Sequence, residues 1–362
     1  MSPHPRIASL LASLVIIGCN EAPGSSEGAG GAGASGSAST SSSATAPQEF
    51  AACSGTFEIT APNPKYTWTP KAIRLMSQQL APGVFAVYDT NVDQYGPAGI
   101  PLATSGGFVI GDDGVLLVES MINRQLFCQV IDLVRQKTDK PIRYVVNTSS
   151  HGDHSFGNAF LPEGVHIVQH QRTATYIAEH FKEDIAFMEA NFGADQGIDE
   201  IKPVAADTLV TDDGWSVDLG GVSVEARYYG FAQTGGDLFV RVPSAKVVWT
   251  GNALVAEKPA VPWLLDGHAE ETGITLAAVK AALPEDTIVV PGHGRAVKTK
   301  ELDFSISYLG TLVSEVGTAV DKGMTEEQTV ASVTMESFKG YAIWDWIHTQ
   351  VNVPGTYKEL SK

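Results

Sequence analysis

The chain has 362 residues, 43% of them hydrophobic, and 24 basic against 41 acidic side chains give it a formal net charge of −17. No basic cluster interrupts that acidic excess, which argues against nucleic acid or an anionic lipid surface as a partner recognised by charge. Beyond the N-terminal segment no apolar run reaches the ~20 residues of a membrane-crossing helix. Residues 51–362 suffice for one large core or two domains.

Taken in chain order, the weakly basic stretch 1–6 precedes an apolar run over 7–18, the length of a secretory h-region, so 1–18 reads as a signal peptide. The run ends Ile16-Ile17-Gly18-Cys19, which resembles the lipobox of bacterial lipoproteins. That resemblance implies lipidation of Cys19, a membrane-anchored lipoprotein and an exported protein of the bacterial cell envelope. An ordinary signal peptide with an incidental cysteine is the alternative. After Cys19, residues 19–50 are dominated by Gly, Ser, Ala and Thr and cannot bury enough apolar area to offset ordering entropy, so they read as a flexible tether. The globular domain is placed at 51–362. Two further cysteines, Cys53 and Cys128, either pair in an oxidising compartment or remain buried thiols.

Within the domain, 83–88 reads as a strand, and 107–110 and 115–118 as a hairpin around Gly111-Asp112-Asp113-Gly114. Residues 121–138 read as a helix with Leu126, Val130, Leu133 and Val134 on one face. A β-branched run over 142–147 forms a strand, 170–191 a helix, and 222–228, 238–242 and 247–250 further strands. The spacing then predicts a helix over 274–283, a strand over 287–290 and a helix over 303–322. Thr325-Glu326-Glu327-Gln328 has capping-box form and opens another helix.

Two strand ends carry the chemistry. The 142–147 run delivers Ser149-Ser150-His151-Gly152-Asp153-His154, two imidazoles and a carboxylate of the kind that bind a divalent ion such as zinc. The 287–290 run delivers Pro291-Gly292-His293-Gly294. If both strands belong to one sheet and end at the same edge, the two loops build one cluster, as sites of open α/β sheets do.

These motifs resemble those of the metallo-β-lactamase-fold superfamily, across roughly 72–300. Its His-x-His-x-Asp-His signature reads Ser149, His151, Asp153 and His154 here. Its Ala-His-Thr-x-Gly-Asp segment reads Ala232-Gln233-Thr234-Gly235-Gly236-Asp237, and its Thr-Gly-Asp turn reads Thr250-Gly251-Asn252. The resemblance implies a four-layer αββα sandwich and two metal positions. The first would rest on Ser149, His151 and Gln233 and is expected to be empty or weak. The second keeps Asp153, His154 and His293, three ligands that leave an open position for water, with His151, Asn252 and Gln233 as subsidiary candidates. The resemblance further implies a one-zinc hydrolase of a small carbonyl substrate, a β-lactam, lactone, amide or thioester, with Asp153 and His151 as catalytic groups. The alternative on the same fold is a small-molecule-binding protein that has lost the chemistry. Ser149 as a nucleophile activated by His151 is the disfavoured alternative.

Other residues carry two readings. His166, His170, His180, His268 and His348 lack motif context and read as surface or capping residues. Trp263, followed by Leu264 and Leu265, either lines a pocket or packs in the core, and Tyr228 and Tyr229 are candidates to present a hydroxyl to substrate. Trp344 and Trp346 are expected to pack C-terminal helices onto the sandwich.

Overall fold

The computed structural model describes residues 48–66, 68–98 and 102–362. The signal segment, Cys19 and most of the tether lie outside these residues. Gln48 and Phe50, assigned to the end of the tether, instead pack on the domain. The Gln48 amide pairs reciprocally with the backbone of Ile142 at 2.8 and 3.1 Å, and Phe50 lies 6.1 Å from the Phe127 ring. Cys53 and Cys128 are disulfide-bonded, fixing this arm to the helix Arg124–Arg135.

Two sheets face each other. The first is ordered β1 (Leu75–Ala81), β2 (Val84–Asp89), β3 (Gly106–Ile110), β4 (Val115–Val118), β5 (Ile142–Val146), β6 (His166–His170) and β7 (Thr208–Val210). It is antiparallel through β4 and parallel from β4 to β7. The second comprises β8 (Trp215–Asp218), β9 (Ser223–Arg227), β10 (Phe239–Val242), β11 (Val247–Gly251), β12 (Ile288–Pro291) and β13 (Val297–Lys298), with only β11 and β12 parallel.

The period-two alternation of a strand explains the layering, because both faces are buried and each feeds a different core. Val115 and Leu117 join Phe127, Val130 and Val134 of the helix Arg124–Arg135 on one face. Leu116 and Val118 point the other way and meet Val240, Trp249 and Val290 of the second sheet. Val248 and Val289 turn outward to the helices Ala269–Ala282 and Leu302–Asp321. The result is the αββα order, helix on sheet on sheet on helix. Trp249 bridges the sheets, its indole N–H donating to the Gly106 carbonyl at 2.9 Å.

Most predicted elements appear with shifted ends. The 121–138 helix begins at Arg124 because the Asn123 side chain caps it by accepting from the Leu126 N–H. The 274–283 helix starts earlier, at Ala269. Thr325 and Gln328 form the expected capping box. Strands β1, β6, β7, β8 and β13 were not legible as elements, and the C-terminal helices after Ser332 were expected only without bounds. Among the described residues no helix is long and apolar enough to cross a membrane.

Candidate functional site

The two motif loops meet, but not at one sheet's edge. β5 lies in the first sheet and β12 in the second, so the histidines converge across the gap between sheets. The expectation of a single sheet fails because local sequence does not encode which buried strands pair.

Each loop is shaped by its backbone. The β5 loop turns into a short helix, Gly152–Ser155, which carries Asp153 and His154, with His151 at its N-cap. After β12, Gly292 passes so close to Asn252 that a Cβ would lie 2.0 Å from Asn252 Oδ1, so only glycine fits the approach that brings in His293.

Asp153, His154 and His293 are buried, and one ligand atom from each lies within 4.8 Å of the others. The Asp153 Oδ2 stands 3.4 Å from His154 Nε2 and 3.5 Å from His293 Nε2. Ligands ~2.0–2.2 Å from a tetrahedral ion are themselves about 3.4 Å apart, so this spacing fits one metal. The tautomers fit too. His154 Nδ1 is 3.0 Å from Glu119 Oε1 and His293 Nδ1 is 2.7 Å from the Leu102 carbonyl, so each Nδ1–H donates outward and frees the Nε2 lone pair. Both Nε2 atoms are buried and, among the described residues, neither has a hydrogen-bond partner. Buried polar atoms are rarely left unpaired, and two that face one carboxylate suit a shared cation.

Without a metal the two imidazoles differ in charge, His154 holding a proton that an ion would displace. Burial opposes charge on His154, but the Asp153 and Glu119 carboxylates outweigh it and raise its pKa to about 9. Burial pushes His293 down to about 4. Burial also opposes charge on Asp153, yet the surrounding imidazoles and the Thr104 hydroxyl hold its pKa below the usual value.

Of the subsidiary candidates, His151 is not part of this trio, whereas the Asn252 side chain lies within reach of His154. His151 Nδ1 lies 3.4 Å from Asn252 Nδ2, and its ring is 6.5 Å from that of His154. Gln233 donates from Nε2 to the Trp263 carbonyl at 3.0 Å, leaving Oε1 buried and unpaired, as is Ser149 Oγ. Of the context-free histidines, His170 is a cap as expected, accepting from the Arg172 N–H, whereas His348 is wholly internal between Tyr308 and the Val333 carbonyl. Tyr228 stacks on His170 at 4.6 Å and the Tyr229 hydroxyl accepts from Arg241, so both tyrosines are engaged within the fold. Trp344 is buried and stacks on His348.

Glu119, Thr104 and the Leu102 carbonyl were not expected from the sequence. Glu119 had a signal: a carboxylate directly after the buried run Val115–Val118 is a charge that needs a partner.

Comparison with known proteins supports the same fold. The structure superposes on an inverting sec-alkylsulfatase from Pseudomonas sp. with TM-score 0.65 and 17% identity, over 80% of this chain and 50% of that one. This chain therefore spans about half the alkylsulfatase's length. It also matches metallo-beta-lactamases from Pontibacter korlensis (TM-score 0.52, 16% identity, 66% of this chain and 99% of that one) and Hirschia baltica (0.50, 18%, 65% and 97%). At the level of sequence, the family model described as the metallo-beta-lactamase superfamily matches residues 99–293, more than half of the chain. A chain matched over that span, with the αββα sandwich and a His/Asp trio between its sheets, belongs to the metallo-beta-lactamase superfamily.

Proposed function

We propose that the protein is a one-zinc hydrolase of a small carbonyl substrate such as a β-lactam, lactone, amide or thioester. The observation that carries this reading is the pair of unpartnered Nε2 atoms, each with its Nδ1 committed elsewhere, standing 3.4 and 3.5 Å from one carboxylate oxygen. When bound, zinc lowers the pKa of its water toward roughly 7 and polarises the oxygen of a carbonyl.

The protein's own groups do the rest. Glu119 and the Leu102 carbonyl fix the two imidazole tautomers, and the Thr104 hydroxyl orients Asp153 by donating to Oδ2. Asp153, held ionised, accepts a hydrogen bond from the attacking water. His151 is kept neutral by burial, and its Nδ1 faces the Asn252 amide, so its Nε2–H is left to donate a hydrogen bond to the substrate's carbonyl oxygen, while the proton the water gives up passes by way of Asp153 to the leaving group. A single ion is favoured because Ser149 and Gln233 supply no imidazole at the first metal position.

The test is metal content and turnover of the purified protein, with β-lactam, lactone and thioester substrates, before and after chelation. One bound zinc and chelator-sensitive hydrolysis support the reading. A zinc-loaded protein that binds one of these compounds without turning it over is instead a small-molecule-binding protein.

The same proposal places the enzyme at the bacterial envelope, anchored through lipidated Cys19 with the Gly/Ser-rich segment as spacer, on the strength of the sequence alone. Detergent partitioning of the wild type and of Cys19→Ala checks it, and a wild type that stays in the aqueous phase would overturn it.

A further inference from the structure

We propose that Trp263 is the specificity-determining wall of this site, that Asn352 of the C-terminal layer positions it, and that it selects substrates with a flat apolar or aromatic group beside the scissile bond. The inference rests on the metal-centred reading above and adds a substrate class to it.

Trp263 lies on the segment between β11 and the helix Ala269–Ala282. Its ring is 5.3 Å from that of the metal-ligand candidate His293. The neighbours Val261, Pro262 and Leu264 are buried, whereas Trp263 itself is half-buried. An indole next to a metal trio, with part of its surface uncovered, is placed to meet whatever enters.

Its position is over-determined. The indole N–H donates to the Tyr341 hydroxyl at 2.5 Å, and the Trp263 carbonyl accepts from Gln233. Gln233, at the histidine position of the Ala-His-Thr-x-Gly-Asp motif, thus serves as a tie for this segment. Asn352 grips both flanks: its Nδ2 donates to the Pro262 carbonyl at 2.8 Å and its Oδ1 accepts from the Leu264 N–H at 3.1 Å. The second amide hydrogen goes to the Tyr308 hydroxyl at 2.9 Å. Tyr308 donates to His348 Nδ1 at 2.8 Å, and His348 Nε2 donates to the Val333 carbonyl at 2.8 Å. Asn352 and Tyr308 are completely buried. A buried polar chain in which every member is paired enforces one arrangement, and breaking any link strands the others.

Asn352 ends a stretch of π-helix, Asp345–Asn352, before the helix Val353–Leu360. Such widened turns recur where a helix serves a site. Asn352, Tyr308 and His348 all lie beyond residues 99–293, so this clamp is built outside the region that the family model matches. It acts on specificity through Trp263 and touches none of the metal-ligand candidates.

The experiment uses the cobalt-substituted full chain and two thiols that bind metal through sulfur, benzyl mercaptan and 2-mercaptoethanol, read by the thiolate-to-cobalt charge-transfer band. An aromatic contact with the indole predicts that wild type binds benzyl mercaptan about tenfold more tightly. Trp263→Ala abolishes the preference. Asn352→Leu shrinks it severalfold while cobalt affinity is unchanged, a combination that a purely structural role would not produce. Should Asn352→Leu not fold, Tyr308→Phe removes the next link and is expected to act in the same direction. A wild type without preference, or a preference that survives in Trp263→Ala or in both clamp variants, overturns the inference. A wild type that takes up no cobalt overturns the metal-centred reading itself, and the inference falls with it.

Discussion

Glu119 and His154 meet inside the protein, with Glu119 Oε1 3.0 Å from His154 Nδ1 and both side chains almost entirely buried. Glu119 holds a positive φ of 68°, uncommon outside glycine, and its carboxylate also receives the Thr148 backbone N–H at 3.2 Å and the Thr148 hydroxyl. The β4 terminus is thus bent to direct a carboxylate at the back of a metal-ligand candidate. Glu119→Gln keeps the shape and removes the charge. Partners of this kind affect metal affinity by roughly 10–100-fold, so zinc affinity, measured by competition with a chromogenic chelator, should fall within that range. An unchanged affinity would remove Glu119 from the account.

The pH dependence of stability should differ between zinc-free and zinc-loaded protein. Between 6.5 and about 9 the folded zinc-free protein keeps a proton on His154 that the unfolded chain releases, so stability falls as pH rises through this window. Between 6.5 and about 4 the unfolded chain takes up a proton that folded His293 refuses, so stability falls as pH drops. Zinc must displace the His154 proton, and its stabilisation should therefore grow on going from about pH 6 to about pH 8. Melting curves with and without zinc at both pH values check this. A zinc increment that shrinks with rising pH would contradict it.

The disulfide Cys53–Cys128 closes a loop with a sequence separation of 75. Loop-closure entropy for that length stabilises the fold by roughly 4 kcal/mol in the chain-entropy model. A Cys53→Ala/Cys128→Ala variant should lose about 2–4 kcal/mol in denaturant unfolding while binding zinc normally, because the staple lies on the helix Arg124–Arg135 and the trio does not. An unchanged unfolding midpoint would show that the arm contributes nothing.

Gly292→Ala tests the close approach beneath His293. The added methyl would meet Asn252 Oδ1 at 2.0 Å and the Asn252 backbone N at 2.9 Å, so the turn carrying His293 or the Asn252 segment must move. Overpacking of this kind costs about 1–3 kcal/mol. The melting temperature and the zinc affinity should both fall, and a variant that matches wild type in both would contradict the packing described.

Much of the fold and of the site was legible in the sequence, and the failures have physical causes. Asp153, His154 and His293 stood out because each follows a buried strand that ends abruptly in polar residues. The hairpin β3–β4 was announced by Gly111-Asp112-Asp113-Gly114 and the helix at Glu326 by its capping box. Strand β1 was missed because most of its residues are partly or fully exposed and include Ser77, Gln78 and Gln79, which lack the apolar alternation that marks a strand. The assignment of both motif strands to one sheet failed because strand pairing is a long-range property. Glu119, Thr104 and Asn352 were invisible for the same reason, since each acts on a partner remote in sequence. His348 looked like a surface residue because nothing local says that Tyr308 lies beside it.

The most direct test of the central claim is a calorimetric titration of the zinc-free protein with Zn²⁺, repeated on single variants. One equivalent should bind to wild type and to His151→Ala, and binding should be lost in His154→Ala and His293→Ala. Two equivalents in the wild type, or an equivalent that survives the loss of His293, would contradict it.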